Sequence, residues 1–194
     1  MRPYAGRMIL GLWLLQAAQA LAAAAAPASP IPYNAIGGRS RLDFFGTQAG
    51  APFRAMFHRF TAAIDFAPQA LAQSHFDVLI DLNSLDSLDH DRDATMRGSD
   101  LFDVTHWPTA HYVTNTITKT TAGYVATGTL TLHGVTKDVP ISFQFSATPT
   151  GTVLTGTASV RRLDFGVGTG DWKSTEWVGN EVTVRFSLVL IAKS

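Results

Sequence analysis

Period-two alternation of apolar and polar side chains constrains this chain more than any other feature. At the C-terminus Val182, Val184, Phe186, Leu188 and Leu190 share one face and Thr183, Arg185 and Ser187 the other, with Val189 and Ile191 breaking the alternation late. Val139, Ile141, Phe143 and Phe145 oppose Ser142, Gln144 and Ser146, and Phe76, Val78, Ile80 and Leu82 oppose Asp77 and Asp81. Successive strand side chains point to opposite faces, so each pattern reads as a strand with one buried face. Further strands are expected in Arg39–Thr47, across Phe53–Phe66 (two strands or one bent strand), and in Thr109–Thr118, Gly123–Leu132 and Thr152–Val160. Eight or nine strands spaced by turn residues predict an all-β sandwich or barrel.

One segment departs from this period. Asp89 to Asp93 is acidic and Arg97-Gly98 follows, an order that complements a helix dipole, so a short helix ending in a left-handed Gly98 is expected. The same acids have the first spacings of a calcium loop, but Ala94 occupies the position of the sharp glycine turn, and helix capping accounts for them more simply. The 194 residues are 46% hydrophobic and 15% charged, enough for one domain with a core. Arg2 and Arg7, the apolar run Met8–Leu15 and the alanines that follow match a secretory leader. Residues 1–26 are therefore read as signal peptide and lead, with a cut after Ala20 or at a later alanine, and residues 31–194 as the domain. Without the leader, 13 basic residues face 15 acidic ones, a net of −2, and no basic run supports nucleic acid binding. The absence of cysteine excludes disulfides, thiolate metal sites and a cysteine nucleophile.

Catalytic and metal patterns are poorly represented. The six histidines have no zinc-binding spacing, although His106 and His111 could meet His133 across strands. Gly166-Val167-Gly168-Thr169-Gly170 fails the dinucleotide pattern at Asp171 and reads as a flexible loop. A hydrolase would have to rest on a pair such as His133 with Asp138 or Asp164, and no complete set of nucleophile, base and oxyanion donor accompanies it.

Several segments together are more specific. Thr129-Leu130-Thr131-Leu132-His133-Gly134-Val135-Thr136-Lys137-Asp138-Val139 lies between two strands. It is preceded by Asp91-Arg92-Asp93, Met96 to Val104 and Trp107-Pro108-Thr109-Ala110, and followed by Arg161 to Gly168. From about Tyr33 to the C-terminus this succession resembles the YceI-like family of periplasmic, lipocalin-like, polyisoprenoid-binding proteins. The resemblance implies an extended eight-stranded antiparallel barrel with a short helical segment, whose bore takes a long apolar chain. Two segments depart from the commoner members, Tyr33 to Ser40 and Gln48 to Pro52. In these the chain looks closer to the branch found beside cytochrome b561-type membrane proteins, which suggests a quinone context.

The expected function is that of a non-catalytic periplasmic carrier or scavenger of an isoprenoid lipid or quinone, acting as monomer or homodimer. The alternative is an interaction module for a membrane cytochrome. Burying about 500 Å² of apolar ligand surface is worth about 12 kcal/mol before association costs, so no catalytic group or cofactor is required. Phe44, Phe76, Val78, Ile80, Tyr112, Ile141, Phe143, Phe145, Val184 and Phe186 are expected to line the bore, and Phe102, Trp107 and Trp172 to close an end. Arg59, Arg97, Arg162 and Lys173 are candidates to meet a polar headgroup.

Overall fold

The alternating segments pair into one antiparallel sheet that closes on itself. The computed structural model describes residues 28–148 and 151–193, so the leader lies outside the described residues. The strands are β1 (Ile31–Ala35), β2 (Arg41–Gln48), β3 (Ala51–Phe57), β4 (Phe60–Phe66), β5 (His75–Asp81), β6 (Leu85–Asp86), β7 (Thr109–Thr120), β8 (Gly123–Leu132), β9 (Val135–Thr148), β10 (Gly151–Arg161) and β11 (Glu181–Ala192). Their order is β1-β4-β5-β7-β8-β9-β10-β11, and β11 pairs back onto β1 through Ala35↔Leu190 and Tyr33↔Ala192. Among the described residues the result is a closed eight-stranded antiparallel barrel with one short α-helix, α1 (His90–Arg97). Closure leaves no continuous sheet edge exposed.

Eleven segments make eight staves because three staves are broken. β1 and β2 both lie along β11, β1 at its C-terminal end and β2 opposite Thr183–Ser187. The break between them is pinned by Ile36 N–H donating to the Val189 carbonyl (2.8 Å) and Val189 N–H donating to Ser40 Oγ (3.1 Å). The half-buried, outward-facing Val189 therefore lies beneath this kink, which accounts for its departure from the alternation. β3 continues into β4, so the region expected over Phe53–Phe66 as two strands or one bent strand is two strands in one bent stave, and β5 continues into β6 through a single turn at Leu82–Ser84. β9 pairs with β10 only as far as Ile141↔Ala158. Pro140, which has no N–H to offer, falls where that ladder stops.

The helix forms over the acidic segment. Asp89 is its N-cap and accepts from Arg92 N–H at 3.0 Å, while Asp93 turns inward to accept from Ser87 N–H at 2.9 Å. Its stop differs from the expectation, since Gly98 has φ −65° and ψ 167°, extended and not left-handed. Glycine is favoured there by crowding, because a Cβ would sit 3.1 Å from the Thr95 carbonyl oxygen.

The barrel interior divides along its axis. At the end where β1 begins and β11 finishes, Tyr33, Phe66, Phe76, Tyr124, Phe143 and Phe145 form a plug, with ring centroids 4.6 Å apart for Phe66–Phe145 and 5.0 Å for Phe76–Phe143. Offset and edge-on rings at such distances add to simple area burial. Toward α1 the apolar side chains leave a space.

Candidate functional site

That space is a cavity of about 490 Å³, within the range typical of small-molecule sites. Its floor is the upper surface of the plug, with Ile64, Phe76, Leu154 and Leu188. Higher up the walls are Phe44, Phe53, Phe57, Val78, Ile80, Leu101, Phe102, Tyr112, Leu132, Val160, Val182 and Val184. The polar and charged residues Asp43, Gln48, Asp89, Asp91, Arg92, Thr95 and Arg162 also belong to the lining, with Trp172 and Val178 near the opening. The Asp91 side chain is fully exposed yet borders the cavity, so the cavity reaches solvent between α1, the β2–β3 turn and the segment after β10.

Glycines set the shape of two walls. The Tyr112 ring lies across Gly128 and the Phe186 ring across Gly156, where any Cβ would overlap the ring. The Tyr112 hydroxyl donates to the Val139 carbonyl (3.2 Å) and also approaches that of Ala126 (3.4 Å). Burial pushes its ionisation upward, so it stays a neutral phenol serving the wall.

Arg162 shapes the rim. Its Nη1 donates to the Val167 carbonyl (2.8 Å), Nε to Gly179 (3.0 Å), and Nη2 to Val178 (2.8 Å) and Ser174 (3.4 Å). The side chain is 5% exposed, and burial lowers its pKa from the usual arginine value, the cost of taking the guanidinium out of water. Gly166 and Gly168 both adopt positive φ, and a Cβ on Gly168 would overlap the Arg162 guanidinium. The glycine run read as a flexible loop is thus the seat of a buried arginine that ties residues 166–180 together.

Among the residues proposed for the bore or its ends, Phe44, Phe76, Val78, Ile80, Phe102, Tyr112, Ile141, Trp172, Val184 and Phe186 line this cavity. Phe143 and Phe145 do not, because their height along β9 puts them inside the plug. Trp107 also lies off the cavity, 43% exposed, with its indole over Gly134 and near His133. Of the headgroup candidates Arg162 alone borders the cavity. Arg59 is held outside by Asp81, with Nη2 to Oδ2 at 2.8 Å. Burial tends to raise the pKa of Asp81, but hydrogen bonds from Arg59 and Asn83 outweigh it and hold the carboxyl below the usual range. Arg97 donates to the Leu85 carbonyl and faces Asp93 at 4.0 Å, and Lys173 is exposed on the outer loop.

Sequence reading passed over Phe53, Phe57, Gln48 and Arg92. The two phenylalanines carried a usable signal, since Phe53, Ala55 and Phe57 alternate along β3. Nothing local marks Arg92, whose Nε donates to Gln48 Oε1 (3.1 Å), whose Nη2 meets Asp89 (3.2 Å) and whose guanidinium lies 5.3 Å over the Phe53 ring. The histidines do not converge. His106 bonds Asp103 at 2.9 Å, His111 bonds Asp77 at 2.8 Å, and His133 makes no hydrogen bond to Asp138 or Asp164.

Comparison with known proteins agrees with this architecture. The family model described as the YceI-like domain matches residues 33–190. A UPF0312 protein of Vibrio cholerae is 30% identical over 151 residues, covering 74% of this chain and 80% of that one. The crystal structure of Burkholderia cenocepacia BcnA is 30% identical with a TM-score of 0.76, over 80% of this chain and 98% of its own. A polyisoprenoid binding domain from Saccharophagus degradans, implicated in plant cell wall breakdown, shares the fold at 19% identity and TM-score 0.63, over 84% and 99% of the two chains. The plugged eight-stranded barrel, with its cavity opening beside a short helix, belongs to the YceI-like domain family.

Proposed function

We propose that this protein is exported to the periplasm and there carries or scavenges an isoprenoid lipid or quinone, without catalysing a reaction. The observation that carries this reading is the cavity, about 490 Å³, apolar along its walls, stopped at one end by aromatic side chains and open at the other. A long apolar chain can enter at the α1 end and run down to the plug, with its polar head left at the mouth. The polyisoprenoid-binding description of the Saccharophagus degradans domain supports the ligand class, and the leader read in residues 1–26 supports export.

Titration with ubiquinone and with a long-chain prenol, followed by tryptophan fluorescence, tests the reading. Saturable one-to-one binding is expected, and it should be lost in Phe44→Asp and Phe186→Asp variants whose circular dichroism is native. Undiminished binding in both folded variants would place the ligand elsewhere. A second reading, docking on a membrane cytochrome of the b561 type, draws on the apolar Leu88 (85% exposed) and Trp177 (64% exposed), each adjacent in sequence to a residue of the lining. Pull-down of such a cytochrome by the native protein but not by a Leu88→Ser/Trp177→Ser variant would favour it.

A further inference from the structure

We infer that the mouth selects an uncharged, oxygen-bearing headgroup, a prenol hydroxyl or a quinone carbonyl, and disfavours a prenyl phosphate or pyrophosphate. This rests on the carrier reading above and narrows its ligand class. The chemistry of the mouth carries it. An anionic head requires cationic donors that are free to turn toward it, and the cations of the lining are committed elsewhere. Each nitrogen of Arg162 already donates to a backbone carbonyl of the rim. Arg92 is shared by Asp89, Gln48 and the face of Phe53.

The formal charges on the lining are the carboxylates Asp43, Asp89 and Asp91 against Arg92 and Arg162, three against two, and the carboxylate fully exposed at the opening is Asp91, so an entering pyrophosphate meets a lining of net charge −1. The donors left over are neutral. Gln48 Nε2 and Trp172 Nε1 make no hydrogen bond among the described residues, and both residues line the cavity. An amide N–H and an indole N–H suit the lone pairs of a hydroxyl or carbonyl oxygen. They need not neutralise a charge.

The test compares geranylgeraniol with geranylgeranyl pyrophosphate on the intact protein by isothermal titration at low ionic strength. The alcohol is expected to bind at least about tenfold more tightly, the scale on which like-charge juxtaposition suppresses a wrong partner. Asp91→Lys reverses a fully exposed rim charge and should shrink that ratio, while Gln48→Ala should weaken the alcohol and leave a headless hydrocarbon such as squalene unaffected. Circular dichroism confirms that each variant is folded. Equal or tighter binding of the pyrophosphate would overturn the inference while leaving the carrier reading intact. Failure of both compounds and of squalene to bind would overturn the carrier reading, and the inference with it.

Discussion

Replacing Arg162 by methionine should loosen the rim of the cavity and lower the stability of the whole protein measurably. Three hydrogen bonds from the guanidinium to backbone carbonyls are 3.0 Å or shorter, and the fourth, at 3.4 Å, is weak. Hydrogen bonds from a charged donor are worth about 1.5–3 kcal/mol each. Against that gain stands the cost of burying the guanidinium, which is 5% exposed and whose desolvation amounts to several kcal/mol. The methionine stem keeps the packing, and water can reach part of the freed rim, so the net loss should be about 2–4 kcal/mol. For a domain of this size that is a fall in Tm of about 4–16 °C. Arg162→Lys should not rescue it, since one ammonium cannot serve carbonyls arranged around a planar fork. Thermal denaturation by circular dichroism gives the global number, and amide exchange across residues 166–180 shows whether the loop opens first. A Tm within about 1 °C of the parent, with unchanged exchange in the loop, would refute the clasp.

Gly168→Ala should reproduce the Arg162→Met phenotype, because its Cβ would occupy the guanidinium's space at a backbone φ of 114°; thermal melts of the two variants and the double mutant should show sub-additive losses. Phe66→Ala, at 1% exposure in the centre of the plug, should cost about 3–5 kcal/mol in urea unfolding. It should leave the mouth unaltered, as read by fluorescence of Trp172. The N-cap carboxylate of Asp89 is held below the usual aspartate value chiefly by the Arg92 N–H. Its contribution to α1 is therefore present above that value and lost as pH falls through the lower folded one. Amide exchange in α1 should accelerate at the acid end of the native range, and Asp89→Ala should remove that pH dependence; an unchanged pH profile in the variant would contradict the assignment.

The faces of the strands were legible because alternation is a local property. Val182 to Leu190 and Val139 to Phe145 point inward as their period requires, and α1 lies where its acids and Gly98 suggested. The break between β1 and β2 was hidden, since it depends on Val189 binding Ser40 from 149 residues away. Height along the barrel was equally hidden. Phe143 and Phe186 are both inward phenylalanines, yet the first belongs to the plug and the second to the cavity wall, a distinction set by register among all eight staves. The charged candidates misled most. An arginine in a sequence announces a donor but not its acceptor, and backbone carbonyls of the loop that follows it took Arg162 while Asp81 took Arg59. Arg92, which lines the cavity beside Arg162, sat in a segment read for its acids and for its place in the family pattern, not as a headgroup donor.

Mass spectrometry of the small molecules that co-purify with the protein from the periplasm of its own host reads directly what the cavity carries. A stoichiometric isoprenoid or quinone with an uncharged head is expected, released on denaturation and depleted in the Phe186→Asp variant. A protein that purifies without ligand and ignores added prenols and quinones would contradict the carrier reading.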